Sequence, residues 1–517
     1  MNYHTPSARL ATAPDCLSHV FGTLWSGMAR SWCLLVHAGA GEHSRAPERE
    51  QAYLRALRAA CLAGRAALLC EGGSSLRACV AAVASMEDDP CCNAGFGSNL
   101  TEDGLVECDA SVMDGAHGAF GACGATPGVR NPVRLAERLL VKQGSGRRPL
   151  GRVHPMLLAG AGAQRWAQSE GLGSVDPTAM VSPQSTAQWR RYIGLLRDEE
   201  ARERDQKAAA AASSSSSSSS AAAAVAATAT VATASEARGE HSRDAQQAAA
   251  AASVCDGPPL KRPRHHGASP LRQSGGAHSG VESSTASGST AGTGGSTGGS
   301  AGGSRGDNMC LGAGSSRGDD ASADGAEDAL HDTVGAVCCD GTHVSAAVSS
   351  GGIWLKHSGR IGEAAAFGAG CWASDAPEAS DAAPPAAGRA SAGTSVSGVG
   401  EHVMQALLAR AACEALCEAS PCFEELGRLL SEPTVQLSAD GGSPAAIAAG
   451  IIALRCDPTS EGHSSSPIEI VVVHSSPSFA VGYLHHERTT PKVFISRQPP
   501  LSSSPRLYCA SVPAPIS

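Results

Sequence analysis

Hydrophobic and polar positions along the chain form two patterned blocks separated by a long stretch without pattern. In the first block, 32-WCLLVHAGAG-41 is a continuous apolar run ending in glycines, which predicts a buried strand and a tight turn. From Pro47 to about Cys70, Leu54, Leu57 and Cys61 recur at helical spacing. Gly72 and Gly73 end that helix, and Ser74 and Ser75 can cap a second one running through Val80, Val83 and Met86. The stretch 87–115 reads as a loop and strands with a hairpin turn at Asp103-Gly104. Further helices are predicted over Pro132 to Lys142 and Pro155 to Glu170.

Pattern fails after about Glu203. Alanine and serine tracts, then Ser/Gly/Ala repeats to about Asp328, bury too little apolar surface to offset chain entropy, which predicts a disordered segment. Periodicity resumes at 333-TVGAVCCD-340 and 343-HVSAAVSSGG-352, two strands joined at Asp340-Gly341-Thr342. Helices are predicted around Gly362 to Ala366, over Gly400 to Leu416, and over the Ala/Gly/Ile-rich Pro444 to Leu454. The strand 467-PIEIVVVHSS-476 and its partner 478-SFAVGYLHH-486 close the ordered part. The expected organisation is a tail (1–30), an ordered first part (31–203), a linker (204–332) and a second ordered part (333–517), the two ordered pieces completing one α/β core.

Composition changes this picture in one respect. The 60 Gly, 29 Pro and 3% aromatic residues come largely from low-complexity sequence, so the packed material of the 517 residues amounts to about 350. A formal net charge of -9 argues against a general nucleic-acid surface. No apolar run approaches the roughly 18 residues a membrane span needs, and the first residues mix Asp and His into short apolar patches, unlike a signal segment. The 19 cysteines are spread along the chain without metal-ligand spacing, which predicts reduced, mostly buried thiols.

Chemistry concentrates at 332-DT-333, where polar linker meets apolar strand. A threonine hydroxyl is a poor nucleophile until a base takes its proton, and the α-amine of the same residue can serve. That amine has a reference pKa of about 7.7–8.0, so a useful fraction is basic near neutrality. Inside a continuous chain it is a non-basic amide; scission of Asp332-Thr333 would create the catalyst. Taken alone, a threonine opening a strand is ordinary, since β-branched residues favour that position.

The neighbourhood changes that weighting. LLVHAGAG (34–41), EDDPCCNAGFGSNL and ECDASVMDG (within 87–115), DTVGAV (332–337), AVSSGG (347–352), KHSGRIG (356–362) and SGVGEH (397–402) occur in one order. Together they resemble the type 2 asparaginase group of N-terminal-nucleophile hydrolases, and within it the endopeptidase branch, the threonine aspartases. The resemblance implies a four-layer αββα sandwich interrupted by a long disordered insertion. It implies Thr333 as nucleophile and, through its amine, as base. Ser350, beside the parallel strand end in AVSSGG, would orient that amine. Asn93 and the Ser397-Gly398 pair would supply oxyanion donors. Arg360 would read a substrate aspartate carboxylate, because guanidinium and carboxylate match bidentately. His37 is expected to be structural. The chemistry needs no cofactor.

Two departures bear on specificity. Members acting on free aspartyl substrates carry an Asp after RxG to hold an α-ammonium, whereas this chain has Glu363. Their self-cleavage junction is typically Gly-Thr, and here it is Asp-Thr. Both favour a self-processing endopeptidase that cuts after aspartate over an asparaginase or isoaspartyl dipeptidase; a non-catalytic scaffold is the third possibility. The resemblance further implies αβ heterodimers that can pair again. It also implies protein substrates that are transcription regulators, including a histone methyltransferase of the mixed-lineage-leukaemia type. With the basic cluster 261-KRPRHH-266, this predicts residence in nucleus and cytoplasm, without direct nucleic-acid or membrane partners.

Overall fold

The structure, a computed structural model, describes residues 31–233, 333–377, 389–418, 422–431, 447–457, 467–499 and 506–512. The expected tail 1–30, Asp332, the cluster 261–266 and most of the linker lie outside the described residues.

The first piece of chain supplies strands β1 (Cys33–Gly41), β2 (Cys108–Asp114), β3 (Ala119–Thr126) and β4 (Leu157–Ala159). Its helices are α1 (Pro47–Leu69), α2 (Ser75–Glu87), α3 (Pro132–Gln143), α4 (Gly160–Ser169) and α5 (Pro183–Thr233). The second supplies β5 (Val334–Cys339), β6 (Val344–Ser350), β7 (Cys371–Ser374), β8 (Ser391–Gly398), β9 (Ala449–Cys456), β10 (Ile468–His474), β11 (Ser478–His485), β12 (Lys492–Arg497) and β13 (Arg506–Val512). Its helices are α6 (Gly400–Ala406), α7 (Leu408–Glu418) and α8 (Cys422–Ser431).

Local signals explain most of these. Pro47 occupies the first turn of α1, where its missing N–H costs nothing, and the Ser74 hydroxyl accepts from Arg77 N to cap α2. The turn between β5 and β6 is closed by Asp340, whose Oδ1 accepts from Thr342 N and His343 N.

Two sheets result. One has the order β12-β11-β1-β5-β6-β2-β3-β4, the other β13-β10-β9-β8-β7. Leu35, Phe120, Val348, Ile452, Val472 and Phe479 belong to the apolar layer between them. On the outer face of the larger sheet, Leu57, Val83 and Leu139 bring α1, α2 and α3 against Leu34 and Val36. On the outer face of the smaller one, Val403, Leu416 and Leu426 pack from α6, α7 and α8. The expected αββα sandwich is therefore the observed architecture. The described cysteines are free thiols, most of them buried.

Close approach rests on glycine where helix meets sheet. A Cβ on Gly121 of β3 would stand 2.1 Å from the Ala136 carbonyl oxygen and 2.7 Å from Leu140 N of α3, a clash only backbone movement relieves. Gly121→Ala is expected to lower stability by about 1–3 kcal/mol, read as a shifted denaturation midpoint. An unchanged midpoint would mean that α3 sits farther from the sheet.

Several elements differ from the sequence reading. The expected partners β10 and β11 lie in different sheets and are followed by β12 and β13. The helix expected over Gly400 to Leu416 is broken at the left-handed Leu407 into α6 and α7. The predicted helix over Pro444 to Leu454 is replaced over its described part by strand β9. Ile451 and Ala453 pack toward α7, while Ile452 and Leu454 face the other sheet, so both faces are apolar and period gives no warning. The predicted helix from Pro155 begins as the short edge strand β4, with helix only from Gly160. Helix α5 continues past the boundary drawn at 203, to Thr233, because alanine prolongs a helix without needing a core.

Candidate active site

Thr333 immediately precedes β5 and is 2% exposed. Val334 pairs with Ala38 of β1 on one side and Ser349 of β6 on the other, both antiparallel, so Ser350 at the end of β6 comes beside Thr333. The parallel neighbour expected at Ser350 is thus an antiparallel one. The Thr333 hydroxyl lies 3.1 Å from Ser350 Oγ and donates to Glu363 Oε1 at 2.8 Å. Ser350 Oγ in turn accepts from Gly352 N at 3.0 Å. These residues line one pocket with Asn93, Arg360 and Gly398.

Asn93 ties the loop 93–99 to the end of β6. Its Nδ2 donates to Gly352 O at 2.8 Å, and its Oδ1 accepts from Asn99 N at 2.8 Å. Ser397 is placed differently from its expected role. It is fully buried, and its hydroxyl accepts from Ala40 N at 3.0 Å, tying β8 to β1. Of the expected pair, Gly398 is the member that borders the pocket.

Arg360 is 14% exposed at its side chain and uses Nε and Nη2 on Glu401 Oε1, at 3.1 and 2.8 Å. Its Nη1 is buried and has no hydrogen-bond partner among the described residues. Glycines make room for it: a Cβ on Gly362 would fall 2.7 Å from Nη1, and one on Gly400 2.7 Å from Nη2 and 2.5 Å from Glu363 Oε2. Burial raises the Glu363 pKa above the usual carboxylate range, opposed by the Thr333 hydroxyl and the Arg360 charge.

Behind this surface lies a charged layer that sequence reasoning missed. Asp109 accepts from Ala125 N at 2.7 Å and Gly362 N at 2.8 Å, which fixes the turn carrying Glu363, and burial raises its pKa. Lys356, 2% exposed, donates to Glu107 O. His37 contacts Ser395 Oγ at 2.9 Å, and burial pulls its pKa down to about 3, so it is a neutral strut between the sheets. No group of side chains suited to hold a metal occurs among the described residues. Among them, too, no helix is long and apolar enough to cross a membrane.

A family model described as asparaginase matches residues 30–298 and 305–464. A plant-type L-asparaginase of Pyrococcus abyssi is 36% identical over 169 residues, covering 33% of this chain and 50% of that protein. An isoaspartyl peptidase/L-asparaginase of Xenopus laevis is 33% identical over 160 residues, covering 31% and 48%. One of Bos taurus is 33% identical over 152 residues, covering 29% and 46%. The chain thus spans about half the length of the curated relatives it matches.

Proposed function

Because the chain belongs to the type 2 asparaginase family of N-terminal-nucleophile hydrolases, we propose that it severs its own Asp332-Thr333 bond and then cuts protein substrates after aspartate, as threonine aspartases do. The observation that carries this reading is the Thr333 hydroxyl at the head of β5, 3.1 Å from Ser350 Oγ, with Arg360 on the wall of the same pocket. Once the bond before it is cut, the Thr333 amine takes the hydroxyl proton as the oxygen attacks the scissile carbonyl. Ser350 holds that amine in register.

Charge developing on the carbonyl oxygen needs donors already in place. The second N–H of Asn93 Nδ2, beyond the one given to Gly352, is one; the backbone near Gly398 is the other. Glu401 holds the Nε and Nη2 edge of Arg360 and leaves the buried Nη1 for an incoming aspartate carboxylate. Asp332 supplies that carboxylate in the precursor, so one pocket serves both cuts. The proposal extends to transcription regulators as substrates, and to residence in nucleus and cytoplasm through the cluster 261-KRPRHH-266.

One observation favours a second reading, an isoaspartyl peptidase or asparaginase like the named relatives. Glu363 sets an acidic group beside the nucleophile, as an α-ammonium would require. Against it, Oε1 of Glu363 is already engaged by the Thr333 hydroxyl. Intact mass and N-terminal sequencing of the expressed protein should yield a fragment beginning TVGAVCC. The processed protein should cleave a polypeptide at Asp-Gly and leave a β-aspartyl dipeptide and L-asparagine largely untouched. The opposite preference selects the second reading, and an uncut, inert chain removes both.

A further inference from the structure

Self-cleavage has a difficulty that the mature enzyme does not. While Asp332 and Thr333 are still joined, the Thr333 nitrogen is an amide and cannot take a proton. Some other group must act first. We propose that the Glu363 carboxylate is this base, accepting the Thr333 hydroxyl proton during the cut that liberates the amine. This inference rests on the self-cleavage reading above and assigns the step that reading leaves without an acceptor.

Geometry carries it, and elimination among the described residues supports it; Asp332, whose carboxylate this reading seats on Arg360, lies outside them. The hydroxyl donates to Glu363 Oε1 at 2.8 Å; its other neighbour, Ser350 Oγ at 3.1 Å, is a neutral alcohol and a poor proton acceptor. Oε2 occupies room that exists only because residue 400 is glycine, since a Cβ there would stand 2.5 Å from it. Both oxygens of Asp109 are taken by backbone N–H groups. Arg360 and Lys356 are cations without a lone pair to offer. His37 contacts Ser395 Oγ with Nε2 and meets Thr333 at its backbone rather than at its hydroxyl.

In the step itself, Thr333 Oγ bonds to the Asp332 carbonyl carbon as its proton passes to Glu363. The C–N bond then breaks, and the proton is delivered to the departing nitrogen, which becomes the α-amine. Water hydrolyses the resulting ester, restoring the Thr333 hydroxyl and leaving Asp332 with a free carboxylate. One water is consumed, and Glu363 ends as it began.

Burial, with Asp109 adding to it, raises the Glu363 pKa above its ordinary value, and a carboxylate with a raised pKa is a stronger base. Asp109 faces it from β2, Arg360 from the preceding loop, and Glu401 of α6 lies across Arg360. Strand β6 carries no titratable side chain, and Cys123 of β3 lies in the layer under α3, its thiol donating to Pro132 O. Cleavage should therefore be slow when Glu363 is protonated, speed up as pH rises through its raised pKa, and level off above it.

The test is pulse-chase of the full chain made by cell-free translation, from pH 5 to 9, followed on gels. Glu363→Gln is expected to cut about 100-fold more slowly with the pH response flattened, Glu363→Asp to keep part of the rate and the pH response, and added formate to restore cutting in Glu363→Ala. Cutting by Glu363→Gln at the wild-type rate and pH profile overturns the proposal alone. So does a slowed Gln variant that keeps the wild-type pH response, or an Ala variant indifferent to formate, since either marks a packing role. A wild-type chain that stays whole overturns the self-cleavage reading and this proposal with it.

Discussion

Thr333→Ala is expected to leave the chain in one piece and without hydrolytic activity, whereas Thr333→Ser should still cut itself, more slowly. The argument is positional. Thr333 stands between β1 and β6, where its side chain reaches Ser350 and Glu363 together, and no other described hydroxyl touches both. Alanine removes the nucleophile and leaves Glu363 Oε1 without a donor, so the loss should reach the assay floor, several orders of magnitude below wild type. Serine keeps the oxygen but lacks the methyl group that restricts χ1, so it spends less time aimed correctly. The readouts are intact mass for processing and peptide hydrolysis for turnover. Activity surviving in an uncut Thr333→Ala chain would eliminate every role assigned here to that residue.

The second large effect is expected at Arg360. Removing one partner of a buried, hydrogen-bonded charge pair costs about 2–5 kcal/mol, or tens to thousands of fold in kcat/KM on a substrate with aspartate before the scissile bond. Arg360→Lys should recover little of this, because an ammonium cannot hold Glu401 with one edge and present Nη1 with another. The loss should be specific. With asparagine replacing the substrate aspartate, wild type and Arg360→Lys should differ far less, so the Asp-to-Asn ratio collapses. Since Glu401 is 49% exposed, water can solvate it once Arg360 is gone, and the fold should survive the change. A ratio that stays put would show that the carboxylate is read elsewhere.

How much of this was visible in the residues alone depended on what each signal measures. The β5–β6 pair was legible because apolar runs flank a turn at Asp340-Gly341-Thr342, and the register of that pair brings Ser350 to Thr333. β9 was misread because it is covered on both faces, and a strand without a polar side looks like a buried helix. Ser397 shows a different limit. A motif identifies which residues sit near a site, but whether the side chain or the backbone faces it depends on strand pleat, here turned toward Ala40. Glu363 was visible as a departure from the resemblance, yet its hold on Thr333 spans 30 positions of chain and no local pattern encodes that. Asp109, Lys356 and Glu401 were missed for the same reason.

Strand order has a consequence for what scission leaves behind. Across the larger sheet the pieces before and after Thr333 alternate: β12 and β11 from the later piece, β1 from the earlier, β5 and β6 from the later, then β2, β3 and β4 from the earlier. Cutting the covalent link therefore releases no subunit, because each fragment fills a gap in the other's hydrogen-bond ladder. What changes is the molecularity of refolding. An intact precursor recovers its native state by a first-order process, while a nicked molecule, once melted, must find its other half by collision, and its apparent stability becomes a function of concentration. The proposed self-cleavage would thus exchange a molecule that can repair itself for one that in dilute solution is assembled only once.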